Sequence, residues 1–148
     1  MKELNQFIGS VKALENWFHA AHHVTKGMEF IADHDILYGK IYNFFGDYFD
    51  EIVEKLMALT GSEMIACPVV ISNHSGYVLS QIPSPCEKDS REIAEISFSV
   101  IVEHLNEIER AYDDFEKFEI MTKGMDDLLA SKYNELETFV YFLQRKLK

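Results

Sequence analysis

Apolar side chains at Leu4, Phe7, Ile8, Val11, Leu14, Phe18 and Ala21 recur at the helical period, which predicts a first helix over about residues 3–25. Gly27 interrupts it. A second stripe runs through Phe30, His34, Leu37, Ile41, Phe45, Tyr48, Ile52, Leu56 and Leu59, with Gly61 where a helix C-terminus expects a glycine. Asp89-Ser90-Arg91-Glu92 has the spacing of a capping box. It opens a third helix whose stripe includes Ile93, Ile96, Val100, Ile101, Leu105, Ile108, Tyr112 and Phe115. A fourth carries Met125, Leu128, Leu129, Tyr133, Leu136, Phe139, Val140, Leu143 and Leu147. Between Gly61 and Asp89 the pattern dissolves into Cys67-Pro68, Asn73-His74-Ser75-Gly76 and Pro83-Ser84-Pro85-Cys86, which read as turns in one long linker. Four amphipathic helices with such a linker predict an all-α, ferritin-like four-helix bundle with a long crossover between helices 2 and 3.

Composition narrows the picture. The 148 residues, 47% hydrophobic, suit one domain spanning 1–148 with one core. A net charge of -11 counts against a phosphate-backbone binder and against docking on an anionic membrane. The basic residues near the two ends are only Lys2, Arg145, Lys146 and Lys148, so DNA binding is not expected at physiological salt. Cys67 and Cys86 are too few for a disulfide scaffold and lack a metal-ligand spacing, which reads as reduced thiols in a cytoplasmic protein. Neither a signal peptide nor a membrane span is visible.

Polar residues break the stripes at two places. His22 shares a face with Phe18 and Ala21, and His34 lies between Phe30 and Leu37, so each puts an imidazole where the pattern wants an apolar group. A half-buried histidine with a hydrogen bond is the ordinary explanation for one such residue. Two on helices that must pack together bring metal ligation into play. His19 and His23 read as solvent-side neighbours. Asp50 and Glu54, four apart, share a face of the second helix, either as a solvated acidic stripe or as ligands.

A di-iron centre inside the bundle needs Glu-x-x-His pairs, and no glutamate here has a histidine three residues after it. His34 and Asp50 lie sixteen residues apart on one helix, about 24 Å along its axis. They can share a metal only if a second copy packs across a two-fold axis, bringing residue i of one subunit to residue j of the other.

The run from Phe18 through His22, Lys26-Gly27, Phe30 and His34 resembles the first-helix signature of the Dps family, the miniferritins. Phe49-Asp50-Glu51-Ile52-Val53-Glu54 is similar to that family's Asp-Glu-x-x-Glu segment, and Asp126 through Leu143 continues the likeness in the last helix. The resemblance implies a ferroxidase site with His22 and His34 from one subunit and Asp50 and Glu54 from its two-fold mate. It also implies a shell of twelve subunits that binds Fe(II), oxidises it with peroxide or dioxygen, stores ferric product and limits oxidative damage. Two departures stand out. Tyr38 replaces an aspartate that the family offers one turn after the second histidine, leaving Asp35 as the nearest carboxylate. The interval from His34 to Asp50 is one residue longer than the family's, implying either a helical bulge or a register shift that displaces the carboxylates. These departures support an alternative: a ferritin-like structural or binding protein without oxidation.

Overall fold

Each stripe becomes a helix. The computed structural model describes residues 1–148 and contains only helices and their connections. Helix α1 spans Lys2–Val24, close to its predicted limits, and buries Leu4, Ile8, Val11, Leu14, Phe18 and Ala21. The chain turns at Gly27 and becomes helical again at Phe30. A π-helical segment, Ala32–Gly39, then runs directly into α2, Lys40–Thr60, which ends with Gly61 in the left-handed conformation at φ 69°.

Helices α4, Ser90–Lys117, and α5, Lys123–Leu147, complete the bundle. Asp89 caps α4, its Oδ1 accepting from the Glu92 amide at 2.8 Å. Thr122 caps α5 in the same manner, accepting from the Met125 amide at 3.1 Å. Each cap satisfies a backbone donor that the first helical turn would otherwise leave unpaired. One continuous cluster of 30 buried apolar residues draws on all four bundle helices.

The crossover is not the run of turns that its sequence suggests. Glu63–Ala66 forms a 3-10 turn and Pro68–Ser80 forms a further helix, α3. Pro68 occupies the first turn, where a missing N–H costs nothing. Gly76 is an internal helical position. What stabilises α3 is its seat on α1: a Cβ at Gly9 would lie 2.4 Å from His74 Cβ and 3.2 Å from the Ser75 nitrogen, so the helices meet where both can approach closely. Trp17 fastens the far end of the crossover by donating from Nε1 to the Pro83 carbonyl at 2.9 Å. Gly9→Ala is therefore expected to push α3 away from α1 and to cost about 1–3 kcal/mol of stability, measurable as a lower urea midpoint.

Near the start of the second rod, Asp33 is buried at 4% exposure yet carries a carboxylate. Lys146 of α5 lies 3.0 Å from its Oδ2 and also pairs with Glu29, while the Ser90 hydroxyl donates to Asp33 at 3.2 Å. These contacts tie the last helix and the start of α4 to the segment that presents His34. Lys146 is held above the usual lysine range: burial opposes its charge, but hydrogen bonds and attraction from Glu29 and Asp33 outweigh it.

Candidate metal centre

His22 in the last turn of α1 and His34 in the π segment come together as ring neighbours. Their centroids are 3.7 Å apart with 16° between the planes. Each ring holds the other's backbone: His22 Nδ1 donates to the His34 carbonyl at 2.5 Å, and His34 Nδ1 donates to the His22 carbonyl at 2.6 Å. A carbonyl only accepts, so both Nδ1 atoms carry a proton, and in the neutral imidazoles it is Nε2 that holds the lone pair. Histidine ligands to metals are oriented in this way, by a hydrogen bond from the nitrogen that does not ligate.

Local backbone makes the exchange possible. A Cβ at Gly39 would come 2.7 Å from the His34 carbonyl oxygen and 3.3 Å from His22 Nδ1. Only glycine leaves room there for the carbonyl and the imidazole to meet. The π segment thus places the His34 carbonyl, the glycine and the imidazole within contact, and it is the helical bulge that the longer His34–Asp50 interval had left as one of two outcomes.

The position held by Tyr38 is fully buried, facing Phe18 at 6.4 Å between centroids. Burial drives its phenol far above the usual tyrosine range, overriding the Ser97 hydroxyl beside it, so this position supplies no anion. Asp35 is the carboxylate beside the pair, with Oδ1 3.8 Å from His34 Nε2, beyond hydrogen-bond distance.

Asp50 and Glu54 stand well down the rod, both exposed on α2. Glu54 lines a groove between α2 and α5 with Glu51, Lys55 and Asp127. Glu51 is paired with Lys132 at 2.9 Å, whereas Asp50 and Glu54 make no ion pair within the chain. Sixteen residues of helix separate Asp50 from His34, on the order of 20 Å. No three His, Cys, Asp or Glu side chains converge within one chain to hold a metal. Within a single subunit the histidine pair and the Asp50–Glu54 pair therefore stand apart.

Around the histidine pair lie more imidazoles than the solvent-side reading of His19 and His23 implied. His19 is half-buried and lies flat on Tyr42, centroids 4.1 Å apart at 8°; His23 is exposed. The His23 imidazole sits below the usual histidine range, first through partial loss of surrounding water and then through the charges of His19, His22 and His34.

One core histidine escaped the sequence reading altogether. His104 is fully buried on α4, with Nε2 3.2 Å from the Tyr48 hydroxyl and Nδ1 3.5 Å from Glu107 Oε2. Its signal was positional, since it lies three residues after Ile101 and four before Ile108 on a stripe read for apolar residues alone. Glu107 borders a cavity of about 280 Å³ between α1, α3 and α4. Burial works to raise the Glu107 carboxyl, but the His104 imidazole beside it, then the Ser10 hydroxyl and Arg110, bring it below its ordinary value of 4.5. A depressed carboxyl stabilises the fold above its unfolded value, and that contribution fades as pH falls through the folded value. Urea unfolding is expected to show Glu107→Gln less stable than wild type by about 1 kcal/mol at neutral pH. The gap should close progressively below the ordinary value of 4.5.

No helix is long and apolar enough to cross a membrane. No family model and no curated protein sequence matches the chain. Solved structures do. The tetragonal form of Mycobacterium smegmatis Dps superposes with a TM-score of 0.78 at 17% identity, over 99% of this chain and 84% of that one. A C-terminal deletion mutant of Mycobacterium smegmatis Dps gives 0.76, also at 17% identity, over 97% and 94%. The helical bundle with its crossover is thus the Dps fold.

Proposed function

We propose that this Dps-fold chain is a miniferritin that binds Fe(II) at intersubunit sites, oxidises it with peroxide or dioxygen and stores the ferric product. The observation that carries the reading is the reciprocal lock between His22 and His34, which leaves two Nε2 lone pairs free on a pair of fixed rings. In the proposal, His22 and His34 of one subunit hold Fe(II), and Asp50 and Glu54 of a two-fold mate complete its coordination. The similar solved structures are of Mycobacterium smegmatis Dps, and a site shared across a two-fold axis is what lets the separated histidines and carboxylates meet at one metal.

Imidazole and carboxylate together suit Fe(II), and a partly filled coordination sphere leaves room for an oxidant. Two Fe(II) give one electron each to a peroxide, which takes up two protons and leaves as two waters. Removing Fe(II) and peroxide together denies both partners to radical-forming chemistry. With a charge of -11, the chain presents a surface that draws cations toward the assembly. A shell of twelve subunits in the cytoplasm, with ferric product in its cavity, follows the Dps resemblance.

The alternative, a ferritin-like binding protein without oxidation, draws on the buried, neutral Tyr38 where an additional anion would strengthen the site. One experiment separates them. Fe(II) is added to the metal-free protein with peroxide, ferric absorbance is followed, and molar mass is measured on the same sample. Oxidation faster than in buffer, by an oligomer, supports the ferroxidase; an oligomer that oxidises no faster than buffer supports the alternative. A monomer would remove the shared site from both.

A further inference from the structure

The four imidazoles near the α1 terminus form one contiguous cluster, with His23 5.1 Å and His19 6.4 Å from His22 between ring centroids, but their hydrogen bonds divide them into two pairs, of which only one belongs to the iron reading. His22 and His34 lock to backbone carbonyls. His19 and His23 instead face each other, Nε2 to Nε2 at 3.1 Å. They stand four apart on α1, so a single helical turn holds both. The stacking of His19 on Tyr42 fixes that ring's plane, while His23 is exposed and leaves a path from solvent. We propose that His19 and His23 chelate a late first-row divalent cation, such as Cu(II) or Zn(II), through both Nε2 atoms, at a site that adjoins the His22–His34 pair but uses neither of its rings.

Geometry supports the chelate. With metal–nitrogen bonds of about 2.0–2.1 Å, two nitrogens 3.1 Å apart subtend about 100° at the metal, between the square-planar and tetrahedral angles. The nitrogens therefore already stand at the separation of two adjacent ligands; the cation displaces the proton of their hydrogen bond, and each ring then carries its proton on Nδ1. An all-imidazole pair favours Cu(II), Ni(II) and Zn(II) over Fe(II), both by ligand type and by the general order of affinities. Nothing else in the chain competes for these nitrogens, since the only hydrogen-bond partner either Nε2 has is the other. The site uses neither ring of the iron pair, so it stands whether or not the protein oxidises iron.

The test is metal binding by the intact, metal-free oligomer. Zn(II) is measured by equilibrium dialysis, and Cu(II) by spin resonance, where hyperfine splitting counts ligating nitrogens. Wild type and His34→Ala are compared with the double variants His34→Ala/His19→Gln and His34→Ala/His23→Gln, because the intact His22–His34 pair also offers two imidazole nitrogens to these cations. The expected result is an equivalent with two-nitrogen coordination that survives in His34→Ala and is weakened at least tenfold, to the same extent, in both double variants. Binding in either double variant equal to that of His34→Ala would overturn the proposal. Loss of the same equivalent in His34→Ala would also overturn it, because the cation would then belong to one shared four-histidine site. All three changes are at residues not fully buried, and circular dichroism confirms that each variant is folded before metal is added.

Discussion

Replacing His34 with alanine is expected to reduce Fe(II) oxidation by about 100-fold or more, leaving the assembly intact. Loss of a residue that merely orients a metal ligand costs about 10–100-fold in affinity or activity, and His34 is proposed as a ligand itself. Its ring also holds the His22 carbonyl, so the same change releases the proton lock that keeps His22 in its ligating tautomer. His34 is only partly buried, and its removal opens no core cavity. The measurement is the initial rate of ferric absorbance under excess Fe(II), with molar mass confirming the oligomer. A variant that oxidises iron at the wild-type rate would rule out the histidine pair as the oxidation site.

The largest expected effect on stability belongs to Phe18→Ala. Phe18 has no exposed surface and packs against Trp17 at 5.1 Å, Phe45 at 5.7 Å and Tyr38 at 6.4 Å between centroids. It joins α1, α2 and the π segment through one ring. Truncation removes that buried area and leaves a cavity bounded by aromatic rings that close only partly around it, at a cost of about 3–5 kcal/mol. Urea unfolding should show the loss as a lower midpoint with an unchanged slope. A cost below about 1 kcal/mol would mean that the surrounding rings collapse into the gap. Because Phe18 lies one turn before His22, the variant should also loosen the metal pair.

The bundle was legible because its helices carry long stripes of one period. Burial on one face decides their phase, and runs such as Leu4 to Ala21 leave little choice. Helix α3 was not legible because its only buried residue is Ser75, and its apolar side chains follow no single face. What holds it is a close contact with Gly9 on another helix, a tertiary effect that the local pattern of Asn73-His74-Ser75-Gly76 cannot show. The candidate site divides along the same line. His22 and His34 were visible as polar breaks in apolar stripes, and their separation from Asp50 and Glu54 was visible from distance alone. The carbonyl locks depend on backbone atoms, which no side-chain pattern records. His104 stayed hidden among apolar neighbours because a core position was assumed to be filled by an apolar residue.

The π segment has a consequence for the whole second rod. One additional residue in an uninterrupted α-helix would turn everything beyond it by about 100° and advance it by about 1.5 Å. Such a rotation would swing Ile41, Phe45, Tyr48, Ile52 and Leu56 out of the core, yet all five are completely buried. The wider turn at Ala32–Gly39 absorbs the surplus like an expansion joint, with Ile36 on its outer side exposed in the single chain. The rod keeps its rotational phase, and with it the outward aim of Asp50 and Glu54, while the added length is spent beside the histidines.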